Sequence, residues 1–282
     1  MIKVKDLTFS YNNKPFIENV NFEVQKGEIF GFLGPSGAGK STLQKILTGL
    51  ITDYQGSAMV NGQESKKHDQ HFYEKIGVDF EFPSLYEKLT AKQNLEFFGS
   101  LYSGKLWNVE ELLDSVGLLT DANKKVGAFS KGMKSRLNFV KSILHNPEVL
   151  FLDEPTSGLD PSNSRQMKEM ILKEKEKGTT IILTTHNMLD ATELCDRVAF
   201  IVDGKIKALD TPHNLIMRRG AVKLSYSYTE NGKECIKECM LSESSQDVLL
   251  QKLISENRIK SIHSSEPTLN DIFIEVTGRG LQ

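Results

Sequence analysis

From Ile2 to Phe9, and again from Phe16 to Val24, apolar and polar residues alternate. Period two is the signature of a strand buried on one face. Asn12-Asn13 turns the chain after the first run and Lys26-Gly27 punctuates the second. Glu28–Leu33 is almost continuously apolar over a strand's length, which predicts a strand covered on both faces. It runs into a glycine-rich turn. A helix is expected from Lys40 to about Gly49, where the glycine stops it.

Three more short apolar runs, Val149–Leu152, Thr180–Thr184 and Val198–Val202, read as buried strands. Helical periodicity fills the gaps between them, at Ser164–Lys177 and Met188–Cys195. Buried strands alternating with helices predict an α/β core with a largely parallel sheet. The alternating N-terminal pair gives that core an antiparallel β edge. Residues 83–140 break the rhythm, because helical patterns dominate at Ala91–Tyr102, Val109–Val116 and Lys134–Leu144. This block reads as a helical subdomain inserted into the core.

After about Leu215 the pattern changes again. Val222–Tyr228 and Glu234–Leu241 form a hairpin around Asn231-Gly232, a two-residue turn signal. Gln246–Ile254 is helical, Ile259–His263 is a strand, and Pro267–Val276 is a helix stopped by Gly278. The expected organisation is a large domain over 1–214 and a small α+β domain over 215–282.

Composition narrows the class without naming a function. Of 282 residues 39% are hydrophobic and 26% charged, as in an ordinary globular protein and unlike a disordered chain. No window of 18 or more residues is continuously apolar, so no bilayer span is expected. The start alternates charged and apolar residues, unlike a secretory signal. The net charge is −2, which gives no electrostatic case for wrapping nucleic acid. Three cysteines are too few for a disulfide scaffold and fit a reducing compartment. Cys235 and Cys239 lie four residues apart on a strand, about 13 Å, too far to share one zinc ion.

Chemistry concentrates in a few segments. Gly34-Pro35-Ser36-Gly37-Ala38-Gly39-Lys40-Ser41, continuing into Thr42, matches the phosphate-loop pattern between a strand and a helix. Glycines let the backbone N–H groups converge on phosphate oxygens. Lys40 then reaches the β- and γ-phosphates, and Ser41 offers a hydroxyl to Mg²⁺. The strand Val149–Leu152 ends in Asp153-Glu154. Asp153 is placed to hold Mg²⁺ and Glu154 to polarise an attacking water.

Phe129-Ser130-Lys131-Gly132-Met133, at the start of a helix, resembles the signature motif of ABC-type ATPases, in a variant common among drug- and antibiotic-exporting members. Ser157-Gly158-Leu159-Asp160 looks like that family's D-loop and His186 like its switch histidine. Tyr11 stands where the family places an aromatic ring on adenine. The resemblance spans roughly residues 2–212 and extends into the tail. There Glu266–Gly280 is similar to the end of the daunorubicin-resistance type of export ATPase, with Leu269, Ile272, Phe273 and Val276 on one helical face.

The resemblance implies an ATP-binding and ATP-hydrolysing subunit of an ABC transporter, most plainly an exporter, using ATP and Mg²⁺. It implies a head-to-tail dimer, with a second copy or a related ATPase chain, in which Ser130 and Gly132 complete the ATP site of the other subunit, and it implies that Asp160 of the D-loop is a nucleotide-binding residue. It implies a separate transmembrane permease, docked beside Phe82, Leu85 and Tyr86, that holds the chain at the cytoplasmic face of the cell membrane. The alternative is a soluble, non-transport ABC ATPase acting on DNA or ribosomes, against which stand the single cassette and the lack of basic excess. Lys131, Met133 and Phe129 depart from the usual Gly, Gln and Leu. Glu81 stands where the family usually carries a Gln that contacts metal and water, so Glu81 is expected at the metal.

Overall fold

The computed structural model describes residues 1–12, 14–81, 84–218, 223–230 and 232–278. The two alternating runs become β1 (Ile2–Tyr11) and β2 (Lys14–Val24), antiparallel, with Ile2 opposite Val24. Their inward residues Ile2, Val4, Leu7, Ile17, Val20 and Val24 are buried. β3 (Ile29–Leu33) is buried at every position and leads through the glycine turn to α1 (Lys40–Leu47). Gly49, just past that helix, has a φ of 76° and serves as the expected stop.

The sequence pattern did not mark β4 (Gln55–Val60), β5 (Gln63–Glu64) or β6 (Ile76–Asp79), nor the short helix α2 (Gln70–Glu74). β4 is rich in Gln, Gly, Ser and Ala, which carry little strand preference. It is held by pairing to β1, and β1 by β2, in a four-stranded sheet of order β2-β1-β4-β5. Rings of Phe22 on β2 and Phe30 and Phe32 on β3 meet at 5.2–5.4 Å, so the antiparallel sheet and β3 share one core.

The inserted block follows as α3 (Ala91–Gly99), α4 (Val109–Ser115) and α5 (Lys131–Ile143). Thr90 and Gln93 form a capping box on α3, Asn108 caps α4 and Ser130 caps α5. A backbone bond from Val126 N to Leu89 O, 3.0 Å, closes the base of the block.

The core resumes with β7 (Val149–Asp153), α6 (Pro161–Glu176), β8 (Thr180–Thr185), α7 (Met188–Leu194), β9 (Arg197–Val202) and β10 (Lys205–Asp210). The six-stranded sheet has the order β10-β9-β3-β8-β7-β6, and its pairs from β9 through β6 are parallel. The α/β core, its antiparallel edge and the helical insertion are therefore all present. β10 was not anticipated.

Residues 1–209 form one compact unit and the described residues from Asp210 to Gly278 a second. The boundary falls before 214 because α8 (Pro212–Met217) packs against the tail helix α10 (Leu269–Thr277). In this unit β11 (Lys223–Glu230), β12 (Lys233–Met240) and β13 (Ile259–Ser265) make an antiparallel sheet of order β12-β11-β13, with α9 (Val248–Ser255) against Tyr226 and Tyr228. Glu230 pairs with Lys233, which fits the two-residue turn; Asn231 itself lies outside the described residues. Leu269, Ile272 and Phe273 of α10 are buried as expected, but Val276 is 42% exposed because it sits in the last turn.

Candidate active site

β3, β8 and β7 lie side by side and parallel, with Leu33 opposite Thr185 and Asp153 opposite Thr184. Their carboxyl ends therefore deliver the phosphate loop, His186 and Asp153-Glu154 to one edge of the sheet, where α/β folds bind ligands. Gly39, immediately before α1, has a φ of 110°, a conformation open to glycine alone. No side chain caps α1, so its N-terminal amides face outward as an anion cradle.

Lys40 is 7% exposed, and its ammonium donates to the carbonyls of Gly34 at 2.6 Å and Pro35 at 3.1 Å. Burial lowers its pKa below the usual lysine value, opposed by the carboxylates of Glu154, Asp153 and Glu81. Ser41 Oγ donates to Asp153 Oδ1 at 3.3 Å, and Thr184 Oγ1 donates to the same oxygen.

Glu154 is turned out of the strand with a φ of 51°, rare for a side chain of this kind. Its carboxylate accepts from Thr185 Oγ1 at 3.2 Å and pairs with His186 Nδ1 at 2.8 Å. It faces a cavity of about 350 Å³ lined by residues 36–42, Glu81 and His186. The sequence reading gave Glu154 and His186 separate tasks, and the structure adds a direct bond between them.

Tyr11 stands beside this cavity. It packs edge-to-face on Phe9 and Phe16, and its hydroxyl lies 3.4 Å from Thr42 Oγ1. The residue is 46% exposed, so much of it is left to solvent. Glu81, exposed beyond β6, borders both this cavity and a neighbouring one of about 250 Å³ that reaches Lys131 on α5.

The signature and D-loop residues make a separate block. Ser130 accepts from Met133 N at 3.3 Å as the cap of α5. A Cβ on Gly132 would come within 2.9 Å of the Asn163 side-chain amide, so a larger residue there would push that side chain aside. Asn163 in turn donates from its backbone N and its side chain to Asp160, the cap of α6, at 3.0 and 2.5 Å. Gly132 thus packs beside the Asn163 that Asp160 holds, and none of Ser130, Gly132 and Asp160 lines the phosphate-loop cavity.

Sequence reasoning missed several polar supports. Thr184 and Thr185 hold the two acids, and the signal was two hydroxyls ending an apolar strand. Asp79, at the end of β6, accepts from Asn138 of α5. Burial pushes the Asp79 carboxyl up to about 7, with nearby Lys141 and the Asn138 bond opposing. An acid closing an apolar strand and an amide on an apolar helix face were the available hints.

Residues 17–157 match the ABC transporter family. The chain belongs to that family. As a family member it is an ATP hydrolase, and its fold is that of the ATP-binding cassette. It is 47% identical, over 100% of this chain and 94% of the relative, to the fluoroquinolones export ATP-binding protein of Mycobacterium tuberculosis. It is 33% identical to the bacitracin transport ATP-binding protein of Bacillus licheniformis, covering 99% of this chain and 98% of that one. Among solved structures, an ATP-binding subunit of an ABC transporter superimposes with a TM-score of 0.71 at 31% identity, covering 78% of this cassette chain and 93% of the other. A dimeric post-hydrolysis cassette bound to ADP and Pi superimposes with a TM-score of 0.67 at 25% identity, covering 75% and 98%.

Proposed function

We propose that this chain is the ATPase subunit of an ABC exporter, acting as a head-to-tail dimer on a separate transmembrane permease. One observation carries the reading. The phosphate loop, Glu154 and His186 line one cavity, and Asp153 is bonded to the loop's Ser41, while Ser130, Gly132 and Asp160 do not line that cavity. A complete site then takes the loop from one chain and the signature from another. The dimeric cassette with ADP and Pi supports that arrangement, and the relatives named for export and transport favour it over a role on DNA or ribosomes. The partner ATPase is a second copy or a related chain.

In this reading Gly34–Thr42 bind the triphosphate through backbone amides and Lys40, and Tyr11 stacks on the adenine. Glu154 orients the attacking water and takes its proton. His186, bonded to Glu154, holds that carboxylate in place and contacts the γ-phosphate. The hydroxyl of Ser41 and the carboxylate of Asp153, 3.3 Å apart, are the hard oxygen donors that Mg²⁺ prefers beside substrate phosphates. Mg²⁺ bound there would neutralise phosphate charge. Glu81 is the third carboxylate in reach.

Among the described residues no helix is long and apolar enough to cross a membrane. The permease is proposed to dock beside Glu81, where Tyr86 is 50% exposed and Leu85 half-buried; Phe82 lies outside the described residues. Docking there would hold the subunit at the cytoplasmic face of the membrane. Reconstitution with a candidate transmembrane permease tests the whole reading: ATP turnover should rise with permease and cargo, and turnover indifferent to both would sink it.

Two smaller predictions belong here. Tyr11→Ala should weaken ATP binding by about 1–3 kcal/mol, the usual worth of one stacked base, and a titration with a fluorescent ATP analogue measures it. Glu81→Gln removes one of three negative charges at nearly constant shape. It should weaken apparent Mg²⁺ affinity, read from ATPase rate against Mg²⁺ concentration, while metal-free ATP binding stays equal or improves slightly. Superimposable curves would take Glu81 out of the metal site.

A further inference from the structure

Strand β6 and helix α5 are joined in a way that stability alone does not require. Asp79 is 6% exposed and Asn138, which donates to it, 2% exposed. The other amide atom, Asn138 Oδ1, is buried with no partner among the described residues. Lys141, one turn along, acts electrostatically on Asp79 while its ammonium bonds the Ser84 carbonyl at 3.2 Å. Two residues before Asp79, on the same strand face, a Cβ on Gly77 would fall 2.1 Å from the carbonyl of Ser142. Ser142 lies one helical turn from Asn138. The strand and helix therefore touch backbone to backbone at one point and are tied side chain to side chain at the next.

An apolar pair of equal volume at 79 and 138 would be as stable or more so, because burying a carboxyl costs desolvation. What a buried hydrogen bond adds is a single register where smooth packing permits sliding. That register matters at both ends. Two residues beyond Asp79 the chain reaches Glu81. Eight residues before Asn138, roughly 12 Å along the helix, stands Ser130. Asp79 and Asn138 also border the 250 Å³ cavity that Glu81, Asp153 and Glu154 line.

The geometry points to Asp79 and Asn138 as a positioning pair: their tie fixes the signature helix against the strand that carries Glu81, so that Ser130 and Glu81 keep one spacing during hydrolysis. This rests on the roles proposed above for Glu81 and Ser130. The pair lies outside the phosphate-loop cavity and acts through those residues.

The test uses the full chain. Asp79→Val combined with Asn138→Leu replaces the tie by apolar packing. Its thermal midpoint should equal or exceed that of the unaltered protein, and KM for ATP should stay within about twofold, while kcat falls about tenfold or more, since small misplacements cost that much. Asp79→Asn keeps an acceptor for Asn138 and supplies the donor its Oδ1 lacks, so kcat should stay within about threefold. If the apolar pair does not fold, Asp79→Ala against Asp79→Asn gives the same contrast: loss in the first, retention in the second. An unchanged kcat in the apolar pair, or no rescue by Asp79→Asn, overturns the proposal. Glu154→Gln assayed alongside separates the two readings. If only it loses turnover, the tie falls and the site stands; if only the tie variants lose turnover, Glu154 leaves the base position and the tie stands.

Discussion

Glu154→Gln should slow ATP hydrolysis by about 10²–10⁴-fold, the usual worth of a general base, while ATP still binds. The substitution is nearly isosteric. The two bonds use different oxygens, so the glutamine oxygen can still accept from His186 Nδ1, 2.8 Å from the carboxylate, while the amide N–H donates to the Thr185 hydroxyl, and the turn with its φ of 51° need not change. What disappears is the capacity to take a proton from water. Lys40 and the loop amides are untouched, so nucleotide affinity should hold. ATP that binds and is not hydrolysed should trap the closed assembly, which size-exclusion chromatography would show as a dimer in ATP and a monomer without it. Near-normal turnover would remove Glu154 from the base position.

Ser130→Arg should abolish turnover by the opposite route, preventing the dimer rather than trapping it. Ser130 caps α5, and losing the cap costs about 1 kcal/mol, too little to unfold the chain. Monomer ATP binding should remain largely intact, because the phosphate loop and Tyr11 lie on the same chain at a cavity that Ser130 does not line. An arginine at the helix N-terminus puts bulk where the other subunit's γ-phosphate is proposed to sit, so closure fails. Combining the two substitutions orders the steps: the double variant should bind ATP and stay monomeric. Loss of ATP binding by the monomeric Ser130→Arg variant would instead place Ser130 in the site of its own chain.

The sequence by itself determined the parts of this protein whose physics is local. A strand, a glycine turn and a helix in one short stretch specify the phosphate loop, because the backbone conformation at Gly39 admits no other residue type and the amides that bind phosphate belong to that same stretch. Asp153-Glu154 was legible as acids ending an apolar run, and Ser130 as the start of a helix, whereas only the structure shows Asp160 capping α6. Partners distant in the chain were not legible, because periodicity reports which face of an element is buried and not what covers it. β4, β6 and β10 have weak patterns and exist through pairing with neighbours. The domain boundary moved to Asp210 because α8 packs on α10, far along the chain. Glu154 meets His186 across 32 positions, Thr184 meets Asp153 across 31 and Asn138 meets Asp79 across 59. The parallel order β3-β8-β7-β6, with α5 packed on β6, puts these residues side by side. Strand order, set by how the whole core buries its apolar faces, also decided that the phosphate-loop cavity excludes the signature block.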